Sequence, residues 1–471
     1  LRARLHLTFA TPFATARGAH TEFTKMFLKD RYGNAVSTAS QEAVAKYNEA
    51  LDLIRLYRGD PIAALDDALA ADPEFGGAWA ARAGLLVQQT DKAYAEEAAK
   101  SLRAGAAARL NDRERLHLKA AQDWAEGRYT EGTTRLARIA QENPRDLLAL
   151  QYAHVGCFFL GMQSELRDWP LQTLRAFKPG EDGYSYLQGM AAFGLEECGD
   201  YARADEYGRA AVAADARDGW AVHAVAHVNE MRGDLDAGIP WLADSAQYWA
   251  PESGFSYHNW WHLGLLYLDQ GDTAKVLKLF DEKVRPDPDA QVVLEWIDAS
   301  AMLWRLHLEG VDVGDRFEKL AACWQRAGED AFYAFNDLHA IMAFLGAGRT
   351  ADAERTLKAM RHAAADSGDN AYMTRKVGLP LAEAFMAFEA GRYGECVEKI
   401  MATRGVAQRF GGSHAQRDVL TLTALHAALR GGLAATAEAI AAERLAHKPH
   451  SPWAGRLARQ ARELSAKQCA A

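Results

Sequence analysis

Proline and cysteine are scarce in this 471-residue chain, with 13 and 5 residues. Few prolines leave long helices uninterrupted, because proline removes a backbone donor and clashes with the preceding turn. The cysteines, Cys157, Cys198, Cys323, Cys396 and Cys469, form no C-x-x-C pair and are odd in number. That argues against a disulfide framework or a zinc ribbon. The first four sit in apolar helical contexts, where cysteine acts as a small hydrophobe, and a reducing cytoplasm is the expected location. Basic excess is also missing. Lys+Arg number 54 against Asp+Glu 63, a net charge of −9, and a general nucleic-acid binder needs a basic surface. No apolar run reaches membrane-spanning length, so no membrane partner is expected.

The common enzyme signatures are absent too. There is no G-x-x-x-x-G-K-[ST], no G-x-S-x-G and no H-E-x-x-H, which removes the P-loop, nucleophile-elbow and zincin readings. Gly346-Ala347-Gly348-Arg349-Thr350-Ala351 resembles a dinucleotide fingerprint, but it follows a helical pattern and coincides with a repeat turn.

What the chain does have is a period. A glycine-led turn recurs at Gly59-Asp60, Gly127-Arg128, Gly199-Asp200, Gly233-Asp234, Gly271-Asp272, Gly348-Arg349, Gly391-Arg392 and Gly431-Gly432. From 199 to 233 is 34 residues and from 59 to 127 is 68, twice 34, while later units lengthen. A unit of about 34 residues is the tetratricopeptide period. Glycine supplies the left-handed residue that ends the first helix, and a following Asp or Thr caps the second. Asp72-Pro73-Glu74 and Asn143-Pro144-Arg145-Asp146 are expected to place a cap before proline at the first helical position. Sustained strand alternation is not seen. At 471 residues the chain exceeds the size at which one compact core keeps growing, and a repeat adds core one unit at a time. The expected fold is all-α: a tetratricopeptide-type α-solenoid of stacked antiparallel helix pairs forming a curled superhelix. Residues 1–29 read as an N-terminal extension, with a start near Met26. Residues 30–471 read as one repeat domain closed by a capping helix from about Trp453. The stretch from Trp169-Pro170 to Gly183 reads as a loop inserted between repeats.

Two histidine pairs stand out. His223 and His227 are four apart on one expected helix, and His258 and His262 are four apart on another. The pairs are offset by 35 residues, one repeat, so the helices should lie side by side on the concave surface. Glu230, Asn259, Trp220, Trp260 and Trp261 lie close in sequence, and Asp337 and His339 fall at a matching place in a later unit. A second feature is Ser413 to Asp418, where Ser413 and Gln416 form a capping box and Arg417 could add an anion site at the helix N-terminus. Three readings follow for the histidines. They are interior residues satisfied between helices, or they grip a ligand, or they form a metal or acid–base site with His227, Glu230 and His262 as catalytic candidates. A metal would fall to His223, His227, His258 and His262.

Trp220 to Met231, His258-Asn259-Trp260-Trp261-His262-Leu263, Asn336 to His339 with Met342-Ala343, and Gly411 to Val419 together resemble the hallmark segments of the tetratricopeptide repeat protein 38 family. The similarity runs from about Asp30 to about Pro452. It implies the fold and picks out groove residues; it supplies no reaction. The expected function is therefore binding of a peptide, protein segment or small molecule in a His/Trp-lined groove. The expected ligand-binding residues are His223, His227, Glu230, His258, Asn259, Trp261, His262, Asp337, His339, Gln416, Arg417 and Asp418. The alternative is a hydrolase or lyase using the same groove, metal-assisted or by His/Glu acid–base chemistry. No cofactor is expected beyond a divalent metal in that alternative, and self-association through the end repeats stays open.

Overall fold

The computed structural model describes residues 28–470, so the expected 1–29 extension lies outside the described residues except for Leu28 and Lys29, which form a strand. The repeat turns form as the spacing requires. Gly233 (φ 69°) and Gly271 (φ 91°) take the left-handed conformation that closes the preceding helix. Asp234 and Asp272 then accept from the backbone N–H three residues on, capping the next helix. The chain is thus an all-α tetratricopeptide-type solenoid, with a two-residue hairpin, Leu28–Lys29 against Ala35–Val36, as the sheet among the described residues.

Inner and outer helices differ as their sequences do. The outer helix Thr350–Ala363 buries Ala353, Thr356, Leu357 and Met360, one apolar stripe at spacings of three and four. The inner helix Gly219–Arg232 is buried at every position from Gly219 to Glu230. A helix buried nearly all round is one enclosed by others, and here Gly219–Arg232 packs on the inner helices Tyr184–Glu197 and Ser256–Gln270 as well as on its own partner, Leu235–Ala243. The five fully buried tryptophans, Trp249, Trp261, Trp296, Trp304 and Trp324, fill that interior. Each contributes roughly 4–6 kcal/mol, from about 150–250 Å² at about 25 cal/mol per Å².

The superhelix curls until distant units touch. Gly59 N donates to Glu252 O (2.9 Å) and Gly254 N to Tyr57 O (2.8 Å). Asn336 Nδ2 donates to Thr90 O (2.8 Å), and Arg326 pairs with Asp91 (2.9 Å). The Tyr333 hydroxyl lies 2.9 Å from Phe159 O and 3.0 Å from Phe410 O. Gly161 passes so close to Gln408 that a Cβ would fall 1.8 Å from its carbonyl oxygen.

Three local expectations are corrected. Pro73 and Pro144 do not open helices, which begin at Gly76 and Leu147; the two prolines sit in the preceding turns, and Asp146 rather than Asn143 is the cap. Asp72 is drawn instead to Thr38 and Arg109. Trp169 and Pro170 are not in a loop: helix Gln163–Leu174 carries Pro170 inside it, and the irregular stretch begins at Arg175. The capping box at Ser413 and Gln416 forms as expected, with Ser413 Oγ accepting at 3.3 Å and Gln416 Oε1 at 3.0 Å. All five cysteines are free. Among the described residues no helix is long and apolar enough to cross a membrane.

Candidate functional site

Helices Gly219–Arg232 and Ser256–Gln270 lie side by side on the inner layer, and their histidines converge. His223 Nε2 is 2.9 Å from His227 Nε2 and 3.1 Å from His258 Nε2. The His262 ring centre is 4.4 Å from that of His227 and 4.8 Å from that of His258. One ring nitrogen from each of the four can be chosen so that all lie within 4.8 Å of one another. The one-repeat offset seen in the sequence therefore produces a single four-imidazole cluster, and all four side chains are buried.

Carboxylates surround it. Asp298, on helix Val293–Leu308, accepts from His258 Nδ1 at 2.7 Å. Glu230 faces His262 Nδ1 at 3.1 Å and takes Lys448 Nζ on its other oxygen at 3.0 Å. Glu196, on helix Tyr184–Glu197, lies 3.3 Å from His227 Nδ1. Burial, then the neighbouring imidazoles, pushes His223 and His262 well below the ordinary histidine pKa. Burial alone would raise Glu196 and Glu230. His227 and His414 outweigh it at Glu196, which is held at about 2, and Lys448 and His227 outweigh it at Glu230. The site is thus a buried group of imidazoles beside two carboxylates, Glu196 and Glu230, held ionised.

A cavity of about 390 Å³ opens beside the cluster. Its wall is mostly apolar, from residues such as Leu53, Leu86, Val155, Phe158, Phe255 and Phe335, which come from widely separated repeats. Polar side chains interrupt it, Arg58, Gln88, Gln151 and Asn336 among them, and one polar group lies at the cluster. His223, His258, Asp298 and Gln416 make up that group, with Gln416 Nε2 3.5 Å from Asp298 Oδ1.

Of the twelve residues expected to bind a ligand, His223, His258 and Gln416 line this cavity. His227, Glu230 and His262 join the cluster behind the wall. The others stand apart from the cavity. Trp261 is fully buried and stacks on His258 at 5.3 Å, and Asn259 Nδ2 donates to Gly219 O at 3.0 Å. His339 Nδ1 donates to Phe335 O at 2.7 Å, and Asp337 is buried with its pKa pushed well up by burial and then by Asp330. Arg417 pairs with Glu197 at 3.1 Å, and Asp418 pairs with Arg444. The Ser413–Asp418 segment does reach the histidine wall, through Gln416, and His414 approaches Glu196 at 3.8 Å.

Asp298, Glu196 and Lys448 were not singled out in the sequence. Glu196 had a signal: it stands three before Gly199 as Glu230 stands three before Gly233. Asp298 and Lys448 had none at that level, because each reaches the cluster from a helix or loop whose placement depends on how the repeats curl.

No family model matches the chain. Among solved structures, it is similar to the human IFIT1 dimer with m7Gppp-AAAA over 94% of this chain and 97% of that chain, at 15% identity and a TM-score of 0.42. It is similar to yeast Tom70 over 90% of this chain and 96% of that one, at 12% identity and a TM-score of 0.33. The APC/C Cut9–Hcn1 hetero-tetramer matches over 89% of this chain and 76% of that chain, at 12% identity and a TM-score of 0.36. Likeness at this level does not extend to a ligand.

Proposed function

We propose that this solenoid is a binding protein whose ligand is a small molecule with an apolar body and one hydrogen-bonding end, held in the cavity beside the histidine cluster. The observation that carries the reading is the composition of that wall: a mostly apolar lining around about 390 Å³, with His223, His258, Asp298 and Gln416 forming a contiguous set among its polar residues. Pockets of this size with few placed polar groups suit small molecules. A peptide fits less well, because the seams at Tyr57–Gly254 and Thr90–Asn336 close the curl where an extended chain would need to run on. With the Asp298 carboxylate in the wall, the ligand's polar end is a donor, an amine or hydroxyl rather than an acid. Membership of the tetratricopeptide repeat protein 38 family is part of the same proposal. It rests on the histidine-pair segments and the Gly411–Val419 segment, whose residues meet at this wall.

A second reading, an enzyme, is favoured by one contact. His258 and Asp298 form a buried imidazole–carboxylate dyad on the cavity wall, the arrangement of a general base. Against it, His258 Nε2, the nitrogen a base would use, faces His223 at 3.1 Å. Binding is tested by displacement of 1-anilinonaphthalene-8-sulfonate by long-chain amines and alcohols. Wild-type protein should bind the dye and release it to these competitors. Val155→Trp, which fills the cavity, should keep the helical signal and lose dye binding. Equal dye binding by both proteins would remove the cavity as the site. Turnover of any competitor, abolished by Asp298→Asn, would bring the enzyme reading forward.

A further inference from the structure

We infer that His223, His227, His258 and His262 form a binding site for a divalent first-row transition-metal ion, zinc fitting best. The ring protons do not suffice for the nitrogens that meet, with tautomers assigned from their partners. His258 and His262 each hydrogen-bond a carboxylate through Nδ1, Asp298 at 2.7 Å and Glu230 at 3.1 Å, while His227 Nδ1 lies 3.3 Å from Glu196 without the alignment of a hydrogen bond. An ionised carboxylate accepts only, so those two Nδ1 atoms carry the proton and the Nε2 atoms of His258 and His262 are bare lone pairs. The Nε2 atoms of His227 and His258 both point at His223 Nε2, at 2.9 and 3.1 Å. His223 has a single proton to offer there, and His262 Nε2 has no partner at all. Whichever tautomer His227 takes, one of the two contacts lacks a single hydrogen between its nitrogens, and a buried polar group left so is costly. A cation at the centre resolves the set at once.

Charge points the same way. Glu230 has Lys448, Glu197 has Arg417 and Asp418 has Arg444. Glu196 and Asp298 meet only imidazoles within ion-pair distance among the described residues. Two buried carboxylates without a Lys or Arg suit a dication held by the four rings. Zinc–imidazole bonds of about 2.0–2.1 Å place tetrahedral nitrogens about 3.3–3.4 Å apart, against 2.9 and 3.1 Å for the two His223 contacts and no more than 4.8 Å for any pair in the set. Imidazole nitrogens suit zinc, copper, iron or nickel, and rings oriented through Nδ1 by carboxylates are how metal-binding histidines are ordinarily held. His223 and His258 also line the cavity, so an exogenous group could reach the ion from that side.

The site stands independently of what fills the cavity. The test uses the whole chain purified without a polyhistidine tag. Metal is measured by mass spectrometry as isolated, then after stripping and reloading with Zn(II) or Co(II), whose visible bands report a tetrahedral nitrogen set. Near-stoichiometric binding with those bands is expected. His223→Ala/His262→Ala should lose it, and Glu230→Gln should weaken affinity about 10–100-fold. Val155→Trp should leave metal content unchanged, which separates this inference from the cavity reading. If the double variant fails to fold, the reloading titration of the unaltered chain decides. Sub-stoichiometric uptake without tetrahedral bands would overturn the site and leave a hydrogen-bonded imidazole cluster in its place.

Discussion

Lys448 and Glu230, 218 residues apart in the chain, meet at 3.0 Å with both side chains buried. The pair ties the segment before the last helix to the histidine layer. Burial alone would lower the lysine, but Glu230 and then Asp418 hold its pKa above the ordinary value, so it stays charged. Removing one partner leaves the other buried and uncompensated, at about 3–5 kcal/mol. Lys448→Met should therefore lower the urea midpoint strongly, and adding Glu230→Gln should recover part of the loss. Equal loss in the single and double variants would show that packing of the lysine stem, not its charge, is what matters.

Acid should destabilise the fold from about pH 6.5 downward, and His154 is the clearest cause. It is buried against Phe193 and Trp220, neither ring nitrogen has a partner, and burial lowers its pKa to about 3 from 6.5. His339 moves the same way, to about 4, burial outweighing its bond to Phe335. A depressed folded pKa means the unfolded chain takes up protons first. The contribution is intact above pH 6.5 and is lost as pH falls toward the folded value. At pH 5 the loss from His154 is about 2 kcal/mol, from 1.36 kcal/mol per unit. His154→Leu should gain roughly that much at pH 5 relative to its effect at pH 7.5, in denaturant titrations at the two pH values. An effect of the same size at both would mean the histidine is not held neutral.

Much of this was legible in the sequence where the cause is local. Gly233 and Asp234 end one helix and cap the next through contacts within a few residues, so their spacing shows in the letters alone. The 35-residue offset of the histidine pairs carried over because neighbouring repeats stack in register. What was not legible depends on curvature. Asp298, Gln416 and Lys448 come together only because small rotations per repeat add up to a closed curl, and no short pattern encodes that sum.

Closure itself can be tested at two glycines. Gly161 (φ 63°) and Gly199 (φ 79°) both end inner-layer helices in the left-handed region, so alanine at either carries a backbone penalty of about 1–2 kcal/mol. They differ in surroundings. A Cβ at Gly199 meets nothing within 4 Å, whereas at Gly161 it would sit 1.8 Å from Gln408 O and 2.4 Å from its carbonyl carbon. Backbone on both sides leaves no flexible tip to yield, so Gly161→Ala must push the 404–410 segment away from the 157–162 turn. That segment leads into Gly411, Gly412 and the capping box that carries Gln416 to the cavity wall. Gly161→Ala should cost about 1–3 kcal/mol more than Gly199→Ala and should weaken dye binding in the cavity. Hydrogen exchange should show lost protection at Gly411, whose N–H donates to Gln408 O at 3.0 Å, while Gly199→Ala leaves that amide protected. If the two variants match in stability and exchange, the curl is held elsewhere, and the Tyr57–Gly254 seam becomes the contact that closes the ring.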